Sequence, residues 1–199
     1  MQSKINYDVL MQKQIDTMDA KKKILLHCCC GPCSTAVLER LQQFFDITLF
    51  YYNPNIYPKE EFDKRLENQI IVSKYFNNLT VIVPNYDESE YLATVRGMEQ
   101  QKEGMNRCDE CFRLRLKQTA LYAKQHGYDY FGTTLTVSSH KNEQHINKIG
   151  EDISKEIGID FLYSDFKKHE GYKRSVILSK QMDLYRQNYC GCRFSIRVE

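Results

Sequence analysis

The stretch that decides the fold is ILLHCCCGPCSTAVLERLQQFF, residues 24–45. Its first four residues form a short apolar run typical of a buried strand, and STAVLERLQQFF has the spacing of a helix. Four of the six residues that join these two elements are cysteines. Three consecutive cysteines are not ordinary packing, so the turn predicts thiol or metal chemistry at the end of a strand.

The alternation of strand and helix continues along the chain. Short apolar runs follow at 47–52, 80–83, 128–135 and 159–163, and helical stretches lie at 7–18, 58–76, 111–127 and 140–158. The pattern predicts an α/β fold: a single domain with a mostly parallel five-stranded sheet covered by helices on both faces, Rossmann-like with nucleotide-hydrolase-type winding. If the winding reverses after the third strand, the fourth strand lies beside the first. The loops HCCCGPC and TTLTVSSHKN then face each other across the ligand crevice.

Length and charge divide the chain into one body and two terminal segments. We expect a single α/β domain over 1–199, with an N-terminal helical extension at 1–20 and a basic, Tyr-rich segment at 167–199. The last segment has eight Lys and Arg against three Asp and Glu. This composition suits RNA phosphates and stacked bases, although a solvated face over core aromatics is the alternative. The predicted phosphate contacts are Lys167, Lys168, Lys173, Arg174, Arg186 and Arg193.

No apolar run is long enough to span a bilayer, and the polar N-terminal region does not resemble a signal peptide. The sequence therefore predicts a cytoplasmic protein with no membrane partner. Eight cysteines in a reducing compartment are better explained as metal ligands or working thiols than as structural disulfides.

The cysteines fall into three groups: Cys28, Cys29, Cys30 and Cys33; Cys108 and Cys111; and Cys190 and Cys192. The first two groups contain C-x-x-C spacing, which lets two thiolates converge on one ion or cluster. Their wide separation in the chain and the surplus thiols favour an iron–sulfur cluster over structural zinc, without excluding zinc. The Cys-Gly-Cys pair is expected to form a labile, catalytic disulfide, or to be two free thiols or two extra ligands.

A few other residues have chemistry that fits this crevice. Lys141 at a helix start is predicted to hold a phosphate or to be a solvated lysine. His27 is expected to be a structural residue with its hydrogen bonds satisfied, or else to donate to a cluster sulfur or act as an acid. Arg115 is expected either to anchor an anion or to be solvated, whereas Arg113 is expected to be solvated.

Four motifs together resemble a known family. HCCCGPCS (27–34), RCDECFRLRL (107–116), GTTLTVSSHKN (132–142) and LYRQNYCGCRFS (184–195) occur in the order seen in the cobalamin-independent epoxyqueuosine reductases, the QueH family. The resemblance covers residues 24–196. It implies an oxidoreductase that performs the last step of queuosine biosynthesis, the two-electron deoxygenation of epoxyqueuosine to queuosine at the wobble position of tRNA.

The resemblance also implies a set of site residues. Cys29, Cys30, Cys108 and Cys111 are implied as ligands of a [4Fe-4S] cluster, and Cys190 and Cys192 as a redox-active disulfide. Cys28 is implied to be a neighbour that is not a ligand. Cys33 stands where some members carry Asp, which makes it an auxiliary ligand, with a second, mononuclear metal as a further expectation. The expected substrate-binding residues are Lys141, Arg186 and Tyr189, and the expected partners are tRNA carrying epoxyqueuosine in the anticodon and an unidentified electron donor.

Two other classes of protein are compatible with the cysteines. One is a structural zinc-containing RNA-binding protein without catalysis. The other is a thiol-disulfide oxidoreductase that works through Cys190 and Cys192. Neither explains why two cysteine motifs stand at predicted strand-to-helix turns.

Overall fold

The first predicted strand is the centre of the sheet. The structure, a computed structural model, describes residues 4–196 and has five strands: β1 (Lys22–His27), β2 (Phe45–Phe50), β3 (Val81–Ile82), β4 (Tyr130–Thr133) and β5 (Asp160–Phe161). Their order is β3-β2-β1-β4-β5, and every neighbouring pair is parallel. The prediction that the fourth strand lies beside the first is confirmed.

Seven helices connect and cover these strands within residues 4–196. They are α1 (Tyr7–Asp16), α2 (Gly31–Leu41), α3 (Lys59–Tyr75), α4 (Glu88–Thr94), α5 (Asn106–Gln125), α6 (Glu143–Ile157) and α7 (Gly171–Gln181). Short 3-10 turns lie at Leu135–Val137 and Arg193–Ser195. Helices α4 and α7 were not predicted. Residues 1–3 and 197–199, at the ends of the predicted segments 1–20 and 167–199, lie outside the described residues.

Strand β1 divides the core into two layers because successive side chains of a strand point to opposite faces. Ile24 and Leu26 belong to the layer shared with α1, α2 and α3. Leu25 belongs to the layer shared with α5 and α6. All three side chains are fully buried, so helices on both faces exclude water from the sheet, as predicted.

Helix α1 covers the edge of the sheet at β5. The Gln14 side chain donates to the carbonyl of Phe161 at 2.9 Å and accepts from the backbone N–H of Tyr163 at 3.0 Å. These two bonds take the place of bonds that a further strand would make, so they satisfy backbone groups at an edge of the sheet that would otherwise be open. None of the helices within residues 4–196 has the length and apolar character needed to cross a membrane.

Candidate metal centre and active-site cavity

The first cysteine group lies at the carboxyl end of β1, at the point where the sheet reverses its winding. Cys30 is the N-cap residue of α2, and Cys33 lies in the first turn of that helix. The Sγ atoms of Cys29, Cys30 and Cys33 all lie within 4.8 Å of one another. Three thiols that converge in this way form a site for a soft metal ion or cluster.

Alternation along β1 continues into the cysteines and separates Cys28 from its neighbours. Cys28 packs in the same layer as Ile24 and Leu26, whereas Cys29 and Cys30 pack in the opposite layer. The Cys28 thiol is fully buried and lies 3.6 Å from the carbonyl of Phe50. Cys28 therefore does not face the other thiols of its group.

Gly31 allows the turn to approach α3 closely. A Cβ atom at this position would lie 2.6 Å from the backbone oxygen of Asn68, a distance that real Cβ atoms do not adopt. Any larger residue would push α2 away from α3 and move the Cys30 and Cys33 thiols with it. The glycine in CCCGPC is thus required by packing rather than by its backbone angles.

The second cysteine pair lies in the first turns of α5. Cys108 packs against the buried layer that contains Cys29 and Cys30, and its Sγ accepts from the backbone N–H of Gly104 at 3.2 Å. Cys111 is buried in a small cluster that includes Tyr91 and Cys192. Burial raises the pKa of the Cys111 thiol to about 12, because a thiolate is poorly solvated there. The Cys111 thiol stays protonated unless a positive partner, such as a metal, stabilises the thiolate.

The third cysteine group, Cys190 and Cys192, lies on a loop that Arg65 holds in place. The buried Arg65 guanidinium donates to the backbone carbonyls of Cys190 at 3.0 Å and Tyr189 at 3.3 Å. Its Nε forms a 2.6 Å ion pair with Glu61. Gly191 has a φ of +119°, and its carbonyl accepts from the backbone N–H of Tyr57 at 2.8 Å.

Two of the three cysteine groups line one cavity of about 300 Å³. Cys29, Cys33 and Cys190 line it, and Cys190 also lines a small void with Cys108. The Gln187 side chain ties the C-terminal loop to the first turn, because its Nε2 lies 3.1 Å from the Sγ of Cys30. All eight cysteines are free thiols in this structure, so a Cys190–Cys192 disulfide stays a prediction.

The three predicted substrate-binding residues, Lys141, Arg186 and Tyr189, line this same cavity. The exposed aromatic ring of Tyr172 and the side chain of His140 also line it. Arg186 lies 5.9 Å from the Tyr172 ring centroid and donates to the Ser179 hydroxyl at 3.0 Å. Tyr172 comes from α7, and the sequence had singled it out only as part of the basic segment.

Positive side chains surround the thiols. Hydrogen bonds from Cys30 and Cys33 lower the pKa of Cys29 well below its ordinary value, and the charges of Lys141 and Arg115 lower it further. Burial opposes protonation of Lys141, but the cysteine groups nearby, Cys190 foremost, outweigh it and raise the pKa of Lys141. A lysine with a raised pKa carries its positive charge at neutral pH and can attract an anion.

His27 has a structural role. Its Nε2 donates to the carbonyl of Tyr52 at 3.2 Å, which leaves Nδ1 as the acceptor for the Thr133 hydroxyl at 3.1 Å. Burial, with help from the charge of Arg115, lowers the pKa of His27 to about 3. Both ring nitrogens are occupied, which favours the structural hydrogen bond over the alternative of a donor to a cluster sulfur.

Most of the predicted phosphate contacts are already paired with carboxylates. Ion pairs join Lys167 to Glu143, Lys173 to Glu170, Arg174 to Glu39 and Arg193 to Glu88. Within residues 4–196, neither Lys168 nor Arg186 forms an ion pair, and only Arg186 lines the cavity. Much of the positive charge of the C-terminal segment therefore stabilises the fold instead of standing free.

The donor set fits an anionic, cysteine-bound metal group. Cys29 and Cys33 line the cavity, Cys108 lines a separate small void with Cys190, and three cations, Arg65, Arg115 and Lys141, act on the cysteine groups. Arg115 also has a buried Nη2 atom with no hydrogen-bond partner in the described residues, whereas a buried donor normally has an acceptor. Fold and site together define a parallel α/β protein with a cluster of thiols, able to hold a metal, at the switch point of its sheet.

Comparison with known proteins names the family. The model of the family described as epoxyqueuosine reductase QueH matches residues 24–198. The epoxyqueuosine reductase QueH of Streptococcus pyogenes is 43% identical over 98% of this chain and 80% of its own length. That of Thermotoga maritima is 37% identical over 87% of this chain and 90% of its own. The chain belongs to the epoxyqueuosine reductase QueH family, as its motifs had indicated.

One solved structure shares the fold. The U34-tRNA thiolase NcsA from Methanococcus maripaludis, determined with its [4Fe-4S] cluster, aligns with a TM-score of 0.55. The alignment covers 95% of this chain and 68% of that chain at 13% sequence identity. At this identity the likeness concerns the fold alone.

The sequence missed one residue that builds the site, Arg65, and noted a second, Tyr172, only as an aromatic residue of the basic segment. Arg65 lies in KEEFDKRLENQ, which reads as a solvated helix, and only its contact with a loop more than a hundred residues later reveals its role. Tyr172 lies in a helix that was not predicted. For Arg115 a signal existed, because it follows Cys111 by four residues and so stands one helical turn further on the same face.

Proposed function

We propose that this protein reduces epoxyqueuosine to queuosine at the wobble position of tRNA. Membership of the family supports the reaction, since every relative compared above has the name epoxyqueuosine reductase QueH. The single observation that carries the proposal is the convergence of Cys190 with Cys29 and Cys33 on one cavity. A redox thiol and thiols able to bind a metal, side by side at one pocket, suit a reductive deoxygenation.

The proposed cofactor is a [4Fe-4S] cluster held by Cys29, Cys30, Cys108 and Cys111. Cys33 is the auxiliary ligand, and a second, mononuclear metal beside it remains part of the proposal. When bound, such a group supplies one-electron transfer and a Lewis-acidic iron. The protein's own contribution is to hold the thiols, surround them with Arg65, Arg115 and Lys141, and exclude water from them.

The proposed source of reducing equivalents at the site is the Cys190–Cys192 pair. Removing the epoxide oxygen breaks two C–O bonds, forms one C=C bond and releases water, and it consumes two electrons and two protons. Oxidation of two thiols to one disulfide releases the same two electrons and two protons. The reaction is therefore balanced for one turnover, after which an external electron donor must reduce the disulfide.

The cavity fits a single nucleoside better than a folded RNA element. Its volume of about 300 Å³ is at the lower end of the range for small-molecule sites. The target nucleoside would therefore leave the anticodon stack and enter alone, as in other enzymes that act on a base. Tyr172 offers an exposed ring for stacking, and Arg186 and Lys141 offer positive charge for phosphate. Tyr189, whose hydroxyl donates to the carbonyl of Tyr57 at 2.7 Å, presents a fixed ring at the wall.

The experiment begins with metal content. Protein purified and reconstituted without oxygen is analysed for iron and acid-labile sulfide, alongside Cys29→Ala, Cys108→Ala and Cys28→Ala. We expect about four iron and four sulfide per chain in the wild type and in Cys28→Ala, and a loss of both in the other two variants. Cys28→Ala is a matched control, because it removes the adjacent thiol that faces the opposite layer.

The same preparations are then assayed on tRNA that carries epoxyqueuosine. Conversion to queuosine by the wild type, and its loss in Cys190→Ser with iron content retained, is the expected result. Tight zinc without iron in the wild type would overturn the proposed cofactor and the reaction with it. Full conversion by Cys190→Ser would overturn the role of the thiol pair while leaving the cluster in place.

A further inference from the structure

Arg115 is a buried cation whose hydrogen bonds are incomplete. It lies on α5, one turn after Cys111, and is only 2% exposed. Its Nε donates to the carbonyl of Cys111 at 3.1 Å, and its guanidinium lies 5.5 Å from the ring centroid of Phe112. Its Nη2 is buried and has no partner among the described residues. A buried charged donor without an acceptor is costly, so the fold keeps Arg115 at a price that other interactions must offset.

The surroundings of Arg115 are thiols rather than carboxylates. The ionisable groups that act most on the guanidinium are the thiols of Cys111, Cys29 and Cys190, one from each cysteine group. Within residues 4–196 no Asp or Glu forms an ion pair with Arg115, whereas Arg40, Arg65, Arg174 and Arg193 each pair with a carboxylate. The partners with the largest electrostatic effect on this cation among the described residues are thus thiols, which carry negative charge when they bind a metal.

Arg65, another buried arginine near the cysteines, makes a useful contrast. Its Nε pairs with Glu61, and its two terminal nitrogens donate to the carbonyls of Tyr189 and Cys190. Every nitrogen of Arg65 is therefore occupied by protein atoms. Arg115, in contrast, has a buried donor without a partner among the described residues.

We propose that Arg115 is a positioning residue that donates a hydrogen bond and positive charge to the cluster and thereby raises its reduction potential. The inference rests on the proposed function, because it requires the cluster to be present. Cysteine-bound clusters are anionic, and one-electron reduction makes them more so. A fixed cation stabilises the reduced state more than the oxidised state, which makes the cluster easier to reduce. An easily reduced cluster can accept an electron from a milder donor.

Arg113 provides a matched control on the same helix. It lies two residues before Arg115 and is half-buried, and it lines a separate groove with Asp109 and His145. Substituting Arg113 removes the same charge from the same helix without touching the cavity. Arg115→Gln removes the charge while keeping a polar side chain. Arg115→Lys keeps the charge but loses the planar guanidinium with its several N–H donors.

The test is a reductive titration of the reconstituted protein with dithionite and redox mediators, followed by absorption and electron paramagnetic resonance. We expect Arg115→Gln to shift the cluster to a more negative potential, Arg115→Lys to restore part of the shift, and Arg113→Gln to titrate like the wild type. Iron content and circular dichroism establish that each variant has its cluster and its fold. A purely structural role for Arg115 would not move the potential in this graded way.

Each remaining outcome decides the inference. An unchanged potential in an iron-replete Arg115→Gln overturns it. If Arg115→Gln folds but holds no iron, retention of iron by Arg115→Lys supports the need for a cation, whereas loss of iron in both folded variants shows that packing matters and overturns it. Absence of iron from the wild type would be a failure of the proposed function itself, and the wild-type measurement distinguishes the two.

Discussion

Replacing Gly191 by alanine tests how the Cys-Gly-Cys loop is held. The residue has a φ of +119°, and an alanine in such a conformation costs about 1–3 kcal/mol. Its Cβ would also lie 2.8 Å from Nη1 of Arg65. A long surface arginine would move aside, but Arg65 is buried and its nitrogens are bound to Glu61, Tyr189 and Cys190. Displacing one charged hydrogen bond costs a further amount of about 1.5–3 kcal/mol.

We therefore expect Gly191→Ala to lower the free energy of unfolding by about 2.5–6 kcal/mol, and the melting temperature by about 2–4 °C for each kcal/mol. Gly97→Ala is the control, because Gly97 has a φ of +82° with nothing within 4 Å of the added Cβ. It should cost only the backbone term, about 1–2 kcal/mol.

The assay is denaturant unfolding at matched iron content, together with the rate at which iodoacetamide alkylates Cys190. Displacement of Arg65 should free the loop and raise the alkylation rate in Gly191→Ala but not in Gly97→Ala. Equal losses of stability in the two variants, with equal alkylation rates, would refute the reasoning that Arg65 anchors the loop.

Two further predictions concern the cavity mouth and the acid stability of the fold. The chain has no tryptophan, so Tyr172→Trp introduces a single tryptophan whose fluorescence a stacked base should quench when tRNA binds. Tyr75→Trp, at an exposed position of α3, should show no quenching. Tyr172→Leu should weaken tRNA binding by about 1–3 kcal/mol, and unaltered affinity would contradict a stacking role. Burial opposes ionisation of Glu143, but hydrogen bonds from Lys167 at 2.8 Å and Lys4 at 2.6 Å prevail and lower its pKa from 4.5 to about 2. As the pH falls, Glu143 takes up a proton in the unfolded chain before it does so in the folded protein. Its contribution to stability is therefore complete above pH 4.5 and disappears as the pH falls from 4.5 to 2. Allowing for the solvent around Lys4, wild type should lose about 1–2 kcal/mol across that window relative to Glu143→Gln, and parallel acid titrations of stability would rule this out.

Much of the fold was accessible from local pattern. Short apolar runs separated by helical spacing predicted all five strands and five of the seven helices, because periodicity is a property of neighbouring residues. The order of the sheet followed from one assumption about where the winding reverses. Helix α4 was missed because it has only seven residues, and α7 because GYKRSVILSKQ reads as part of a basic segment.

The sequence by itself determined the family, because the cysteine motifs, their spacing and their order are properties of the chain alone. The family resemblance also predicted that Cys28 is not a ligand, and its burial in the opposite layer from Cys29 and Cys30 agrees with that prediction. The sequence expected Arg113 to be solvated and left the role of Arg115 open, since neighbouring arginines on one helix have the same chemistry and only their burial differs.

Only the tertiary structure decided which of these residues meet. The C-terminal loop reaches the first turn because Arg65 and Gln187 bind it there, across more than a hundred residues of chain. The same packing buries Arg115 among thiols, leaves Arg113 at the surface, and pairs most of the basic residues of the C-terminal segment with carboxylates. Contacts between residues distant in sequence depend on how whole layers pack, and no local pattern encodes that packing.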